Sequence, residues 1–422
     1  MRRKTRRRIS LFHVPWRSQW LCHVCLLLVC CLWQTHVDAQ QTFKVGPLGM
    51  TLGVQAGVEW TDNANMSSTF GKQDYAWSIG PVVNGGFSMP VTTGGREEVL
   101  TLSSSVGFSY KRWMNGGQAN QFTSPIGVVF ALPLHISNWD VFVNDSFTFT
   151  NDPLETTLQG FTSATPSALS QYSNLGSISA MRRFGRFALT LATQRQDKWA
   201  PLQPSLEETI YSFSITTAVY LQDNLSVFWA NSIGFVFPAD HTTRSEGINM
   251  TTSIGLAGQI TPVLSGTVSI GYVHSEFDPI LTTKGAMPGG RTDGISGNVG
   301  LAYAHPLRPN TTHALSVTYS PGVTAMLNQS NFQTTYGATY TITHRLNSYL
   351  TFSPSLGWMR TISEGGLSHS QYDALVIQMG FNRAFGRRLS GSLLLRHEER
   401  SSSQGGMAYN VNDVTTSLSY MF

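Results

Sequence analysis

The chain has 422 residues, of which 12% are charged and 41% hydrophobic, and its mean hydropathy is −0.08. An ordinary soluble domain carries about 25% charged residues, and a helical membrane protein is far more apolar, so the numbers fit neither class. Ser, Thr, Asn, Gln and Gly fill the polar share instead, which suits strands with one face in lipid and the other on a polar lumen.

Residues 2–8 read Arg-Arg-Lys-Thr-Arg-Arg-Arg, followed by an apolar run from Leu21 to Trp33 and a small-residue site, Val37-Asp38-Ala39. This is the order of a secretory signal peptide. The run is too short for a spanning helix, which needs about 20 residues. Cleavage after Ala39 is expected, giving a signal segment 1–39 and a mature chain 40–422. The mature chain then holds 21 basic and 23 acidic residues, a net of −2. The precursor's pI near 8.9 therefore says little about the working protein, and a nucleic-acid partner is not expected. Cys22, Cys25, Cys30 and Cys31 all leave with the signal. No disulfide framework, thiol nucleophile or thiolate metal site is expected afterwards.

From residue 40 onward no stretch reaches 18 consecutive apolar residues, so no spanning helix is expected. Period two dominates. Leu48, Met50, Leu52, Val54, Ala56, Val58 and Trp60 share one face; Gly49, Thr51, Gly53, Gln55, Gly57 and Glu59 share the other. Such alternation marks strands with one apolar and one polar face. Eighteen strands are predicted, at 48–60, 74–89, 97–113, 122–136, 139–150, 171–182, 187–197, 208–222, 225–238, 247–260, 264–275, 293–305, 312–326, 332–345, 348–360, 371–384, 388–398 and 410–422. Their connections alternate in length, about 11 residues on one side and under 4 on the other. Long loops at one end and short turns at the other describe an all-β, up-and-down antiparallel transmembrane barrel. The short turns are expected at Ser137-Asn138, Asp223-Asn224, Thr261-Pro262 and Leu346-Asn347. Sixteen strands would follow if one hairpin within the irregular stretch 151–186 stays out of the barrel. Asp145 falls on the apolar face of its strand, so either a bulge re-aims it or it sits near a rim.

Trp60, Tyr75, Trp77, Tyr110, Trp113, Trp139, Trp199, Tyr272, Trp358, Tyr372 and Tyr420 lie near strand ends, as the aromatic girdles of outer-membrane barrels do. Val414, Thr416, Leu418, Tyr420 and Phe422 alternate to the last residue. This resembles the C-terminal signature by which bacterial outer-membrane proteins are recognised by their assembly machinery, and implies that machinery as a partner through Phe422.

Glu59-Trp60-Thr61-Asp62-Asn63-Ala64-Asn65-Met66-Ser67-Ser68 follows the first strand, and Gln73-Asp74-Tyr75 opens a second that runs into Gly80-Pro81-Val82-Val83. This stretch resembles the opening of the outer-membrane β-barrel porins called BBP2-like, some of which resemble outer-membrane proteins of exopolysaccharide biosynthesis. The resemblance covers about 45 residues. It implies a channel or export role and supplies no functional residues. Asp62, Asn63 and Asn65 could also be read as a calcium loop, but the bidentate acid that completes one does not follow. Loop capping is the expected role.

Catalytic constellations are not evident. No Gly-x-Ser-x-Gly or His-Glu-x-x-His motif occurs, so an enzyme, a cofactor and a metal are not expected. His397-Glu398-Glu399, between Arg396 and Arg400, reads as a charged rim. His305 and His313 flank the Pro306–Pro309 turn, and the glycine-rich Gly285–Gly290 opens no helix and lacks a Walker lysine. Thr190, Ser226, Ser269, Ser296, Asn298, Thr339, Thr341, Ser353, Ser355, Thr415 and Ser417 are expected to line a neutral lumen, with Glu59, Lys111, Arg195 and Arg396 pointing into it near strand ends. Loops 151–170 and 276–292 are the candidates to fold inward. The expected protein is therefore a Gram-negative outer-membrane channel for small hydrophilic solutes, in contact with outer-membrane lipid and lipopolysaccharide. Exopolysaccharide export is the alternative. A homotrimer would show as a flat patch of small residues on the lipid side.

Overall fold

The computed structural model describes residues 43–45, 47–64, 71–116, 121–150, 171–201, 207–240, 245–282, 285–287, 289–323, 332–364, 370–403 and 408–422. The expected signal segment, Asn65 and loop 151–170 lie outside these residues.

The described chain is all strand and turn. Eighteen barrel strands run in sequence: β1 (Leu48–Thr61), β2 (Asp74–Thr93), β3 (Arg96–Gly107, continued by Ser109–Trp113), β4 (Gln121–Thr123, continued by Ile126–Ile136), β5 (Trp139–Thr150) and β6 (Gln171–Phe184). Next come β7 (Phe187–Trp199), β8 (Glu208–Gln222), β9 (Leu225–Pro238), β10 (Gly247–Thr261), β11 (Leu264–Phe277) and β12 (Gly290–Ala304). Last are β13 (Thr311–Val323), β14 (Phe332–Asn347), β15 (Leu350–Glu364), β16 (Ser370–Ala384), β17 (Leu389–Ser402) and β18 (Tyr409–Met421). Each pairs antiparallel with its neighbours, and β18 pairs back onto β1 from Gly53↔Met421 to Thr61↔Asp413. The sheet is a closed barrel of eighteen strands, and β5 and β6 pair within it. Closure removes every edge. A short strand, Phe43–Val45, adds onto the start of β1.

Six of the connections at one end are two residues long, at 94–95, 137–138, 185–186, 223–224, 262–263 and 348–349. Gly94 and Gly95 take φ of 57° and 80°, the left-handed pair that a two-residue hairpin needs and that glycine adopts without strain. Two expected turns shift, to Pro262-Val263 and Ser348-Tyr349. Each is preceded by a bulge, at Gln259/Thr261 and Arg345/Asn347, which adds a residue to the strand before it turns.

Register assigns every side chain to a face, because directly opposed residues share one. The face holding Ile254, Ile270, Ile295, Phe213 and Trp229 is exposed and apolar. It is the convex outside, where curvature spreads side chains. The other face holds Thr61, Asp74, Lys111, Arg396 and Asp413, all buried, on the concave inside where side chains crowd. Asp145 follows neither expectation. Strands β4, β5 and β6 keep constant register past it, so no bulge re-aims it, and it stands mid-strand on the outer face. Arg195 is a correction. It opposes Gly176 and Tyr211 and shares the parity of Leu189 and Leu191, so it faces outward and not into the lumen.

Candidate functional site

Eighteen strands at about 4.8 Å spacing and about 40° tilt enclose a ring about 35 Å across between backbones. The inside wall of that ring is the candidate site. At mid-height its described positions are uncharged. Thr190, Ser226, Ser269, Ser296, Asn298, Thr339, Thr341, Ser353, Ser355, Thr415 and Ser417 all fall on the inward parity. The hydroxyls of Ser392 and Ser417 bond across strands at 2.7 Å. Such a wall presents donors and acceptors to water at every strand and little fixed charge.

Charge returns toward the loop end, concentrated where the barrel closes. Arg396 donates through Nη1 to Asp413 at 3.3 Å and through Nη2 to Glu398. Tyr409 donates its hydroxyl to Glu398 at 2.8 Å. The Arg400 guanidinium lies over the Tyr372 ring at 4.4 Å and near the Tyr409 ring at 5.8 Å. On the other side of the seam Lys111 pairs with Glu59 at 2.7 Å, and Lys111 sits 5.1 Å from the Trp113 ring centre. A second inward pair, Lys198–Glu208 at 2.7 Å, stands further around the wall. Acids and bases nearly balance, so the network holds the wall together more than it charges the lumen.

The Asp62-Asn63 motif also acts at the seam. Asp62 accepts hydrogen bonds from the Asn412 backbone amide at 2.8 Å and from its side-chain amide at 2.5 Å. Asn63 donates its side-chain amide to the Asn410 carbonyl at 2.8 Å. The loop after the first strand is thus fastened to the last strand, the capping role expected. Asp74 is fully buried and accepts from the backbone amides of Tyr75 at 2.7 Å and Asn115 at 2.8 Å, which ties the second strand to the loop after the third.

The charged string at 396–400 splits across the wall. Arg396, Glu398 and Arg400 face in; His397 and Glu399 face out, and His397 bonds Asn412 at 2.7 Å. His305 accepts from the Leu307 amide within its turn, and His313 meets the Tyr340 hydroxyl at 2.7 Å on the outside. Gly285–Met287 forms a small hairpin with Ile280–Thr282.

Sequence reasoning missed an outer row of ion pairs near the loop end. Arg195 pairs with Asp197 at 2.9 Å and Arg360 with Asp373 at 2.6 Å. His274 lies between Asp293 at 2.6 Å and Glu276 at 3.0 Å, and Tyr272 donates to Asp293 at 2.6 Å. Arg195–Asp197 and His274–Glu276 are i, i+2 neighbours on one strand, a spacing visible in sequence, whereas Arg360–Asp373 and His274–Asp293 come together only through register.

No family model matches the chain, and no curated protein does. Among solved structures the chain is similar to Acinetobacter baumannii OccAB2, at 11% identity and a TM-score of 0.46, covering 88% of this chain and 98% of that one. It is also similar to a BenF-like porin from Pseudomonas fluorescens Pf-5, at 9% identity and 0.45, covering 88% and 99%. The FrpB iron transporter of Neisseria meningitidis gives 7% and 0.44, covering 88% and 81%.

Proposed function

We propose that this chain spans the outer membrane of a Gram-negative bacterium and lets small hydrophilic solutes diffuse through a water-filled lumen. The observation that carries the reading is the two-sided closed wall, apolar outside and hydroxyl-lined inside. On β12 the outward side chains from Ile295 to Tyr303 span nine residues, about 27 Å along the strand and about 20 Å along the axis. Outer-membrane barrels carry an apolar band about 25 Å tall. Above Ile295 the outward residues turn to Asp293 and Arg291, and the ion pairs of Arg195 and Arg360 stand at the loop ends of their strands. Those groups suit the headgroup zone, where lipopolysaccharide would meet them. The lumen chemistry favours no sign of charge at mid-height, so size would be the main filter.

At the terminus, the Phe422 amide donates to the Leu52 carbonyl at 2.7 Å, and the Tyr420 and Phe422 rings meet edge-on at 5.4 Å. The last strand pairs with the first from Asp413 to Met421 while Phe422 stays exposed, which suits recognition by assembly machinery. Proteoliposome swelling tests the diffusion reading. Neutral sugars should enter at rates falling smoothly with size. Vesicles holding folded barrel that swell no faster than empty ones would contradict it.

A further inference from the structure

One row of opposed residues crosses the outer wall at β5, β6 and β7. Asp145 faces Gly176, and Gly176 faces Arg195. Asp145 is exposed and makes no hydrogen bond or ion pair among the described residues. Arg195 uses Nε and Nη2 on Asp197, which leaves Nη1 with no acceptor among the described residues. Gly176 puts a notch between the two, where an added Cβ would meet only the Asp145 Oδ1, at 3.5 Å. Below the notch the next outward residue of β6 is Ile178, 50% exposed, an apolar contact for its own symmetry mate's flank.

We propose that β6 is the centre of a two-fold contact between two copies of this chain in the membrane plane, with Asp145 of each copy facing Arg195 of the other. The inference rests on the membrane reading above. Its support is self-complementarity. An axis along the membrane normal through β6 exchanges left and right flanks, as any isologous contact does. The left flank carries the unpaired acid and the right flank the base. Two strands are about 9.6 Å apart, so at about 40° tilt the two residues differ in height by about 6 Å, within reach of an extended arginine. The planar guanidinium has five donors, enough to hold Asp197 and a second carboxylate together. Lipid offers no hydrogen bonds to an isolated carboxylate, and Arg195, at the headgroup edge of the apolar band, reaches down to supply them. A head-to-tail contact would set Asp145 against another sector. Across β11 to β16 the mid-height outward residues are apolar, among them Ile270, Val299, Val317, Leu356 and Ile377, and none can neutralise it. The pairing therefore differs from the homotrimer that the sequence leaves open.

Cysteine crosslinking in isolated outer membranes tests the contact, because the chain after residue 39 has no cysteine. Residues on the axis meet their own symmetry mates. G176C should therefore oxidise to a species of twice the monomer mass. V143C, the outward residue of β5 that the strand tilt sets about beneath Gly176, gives an independent reporter near the same axis if G176C fails to fold. G297C, outward on β12 and meeting only the Ser269 carbonyl oxygen at 3.8 Å, should stay monomeric. Adding D145N to G176C should lower the crosslink yield at least about fivefold. Folded G176C and V143C that crosslink no more than G297C, or a yield indifferent to D145N, would overturn the pairing. So would a native mass of three chains in mild detergent. Folding and membrane residence are read separately, from heat-modifiable migration of the wild type in the membrane fraction. Absence from that fraction would sink the membrane reading, whereas uncrosslinked protein within it sinks only the pairing.

Discussion

Replacing Arg396 by alanine should destabilise the barrel by about 3 kcal/mol. Arg396 is 8% exposed and serves two acids, Asp413 and Glu398, that are 7% exposed each. Removing one partner of a buried ion pair typically costs about 3–5 kcal/mol, because the remaining charge stays dehydrated. Two features place this site at the low end. Glu398 keeps the Tyr409 hydroxyl at 2.8 Å. The network is also not saturated to begin with, since among the described residues the Arg396 Nε and the Asp413 Oδ1 are buried without a hydrogen-bond partner. The site matters because it sits at the seam. β1 pairs with β18 over nine residue pairs but with β2 over fourteen, so side chains carry more of the closure there. Reversible urea unfolding followed by tryptophan fluorescence reads the loss. R396A/D413A removes the stranded carboxylate and should recover at least about half of it. A loss below about 1 kcal/mol, or a double variant no better than R396A, would refute the claim that these charges are sealed in the wall.

Asp62→Ala should cost about 1–3 kcal/mol by leaving the Asn412 amides without their acceptor; an unfolding midpoint equal to that of a Glu97→Ala control would contradict the seam role. Ile270→Arg, on the 59% exposed outer position of β11, should cost about 2–4 kcal/mol in lipid, while Ser269→Arg on the inner face should cost under about 1 kcal/mol. Equal losses in vesicle unfolding would show that the faces are misassigned. Ser269→Asp with Ser296→Asp puts two carboxylates on adjacent inward positions and should shift the reversal potential toward cations by a measurable margin; no shift would mean that these residues do not line the ion path.

Alternation made the strands legible, because one wall separates two solvents and every second residue must report which it meets. The lumen hydroxyls were therefore named from parity alone. Strand ends were harder to read. β2 runs on to Thr93 through Pro90, and β17 to Ser402, because these ends stand beyond the apolar band and lose its pattern. Arg195 was misplaced by an assumption that charge must point inward, although its parity with Leu189 and Leu191 was already in the sequence. The network of Arg396, Glu398, Asp413 and Tyr409 could not be read at all. It spans two strands, and only register sets Arg396 beside Asp413. Asp62 and Asn63 were assigned to capping correctly, but their partners lie 347 to 350 residues away, and closure alone brings those together.

Single-channel recording in planar bilayers tests the central claim most directly. A wide lumen without mid-height charge should give an ohmic conductance and a cation-to-anion permeability ratio within about twofold of unity in KCl. A folded, inserted barrel that conducts nothing, or one that selects strongly for either sign, would contradict it.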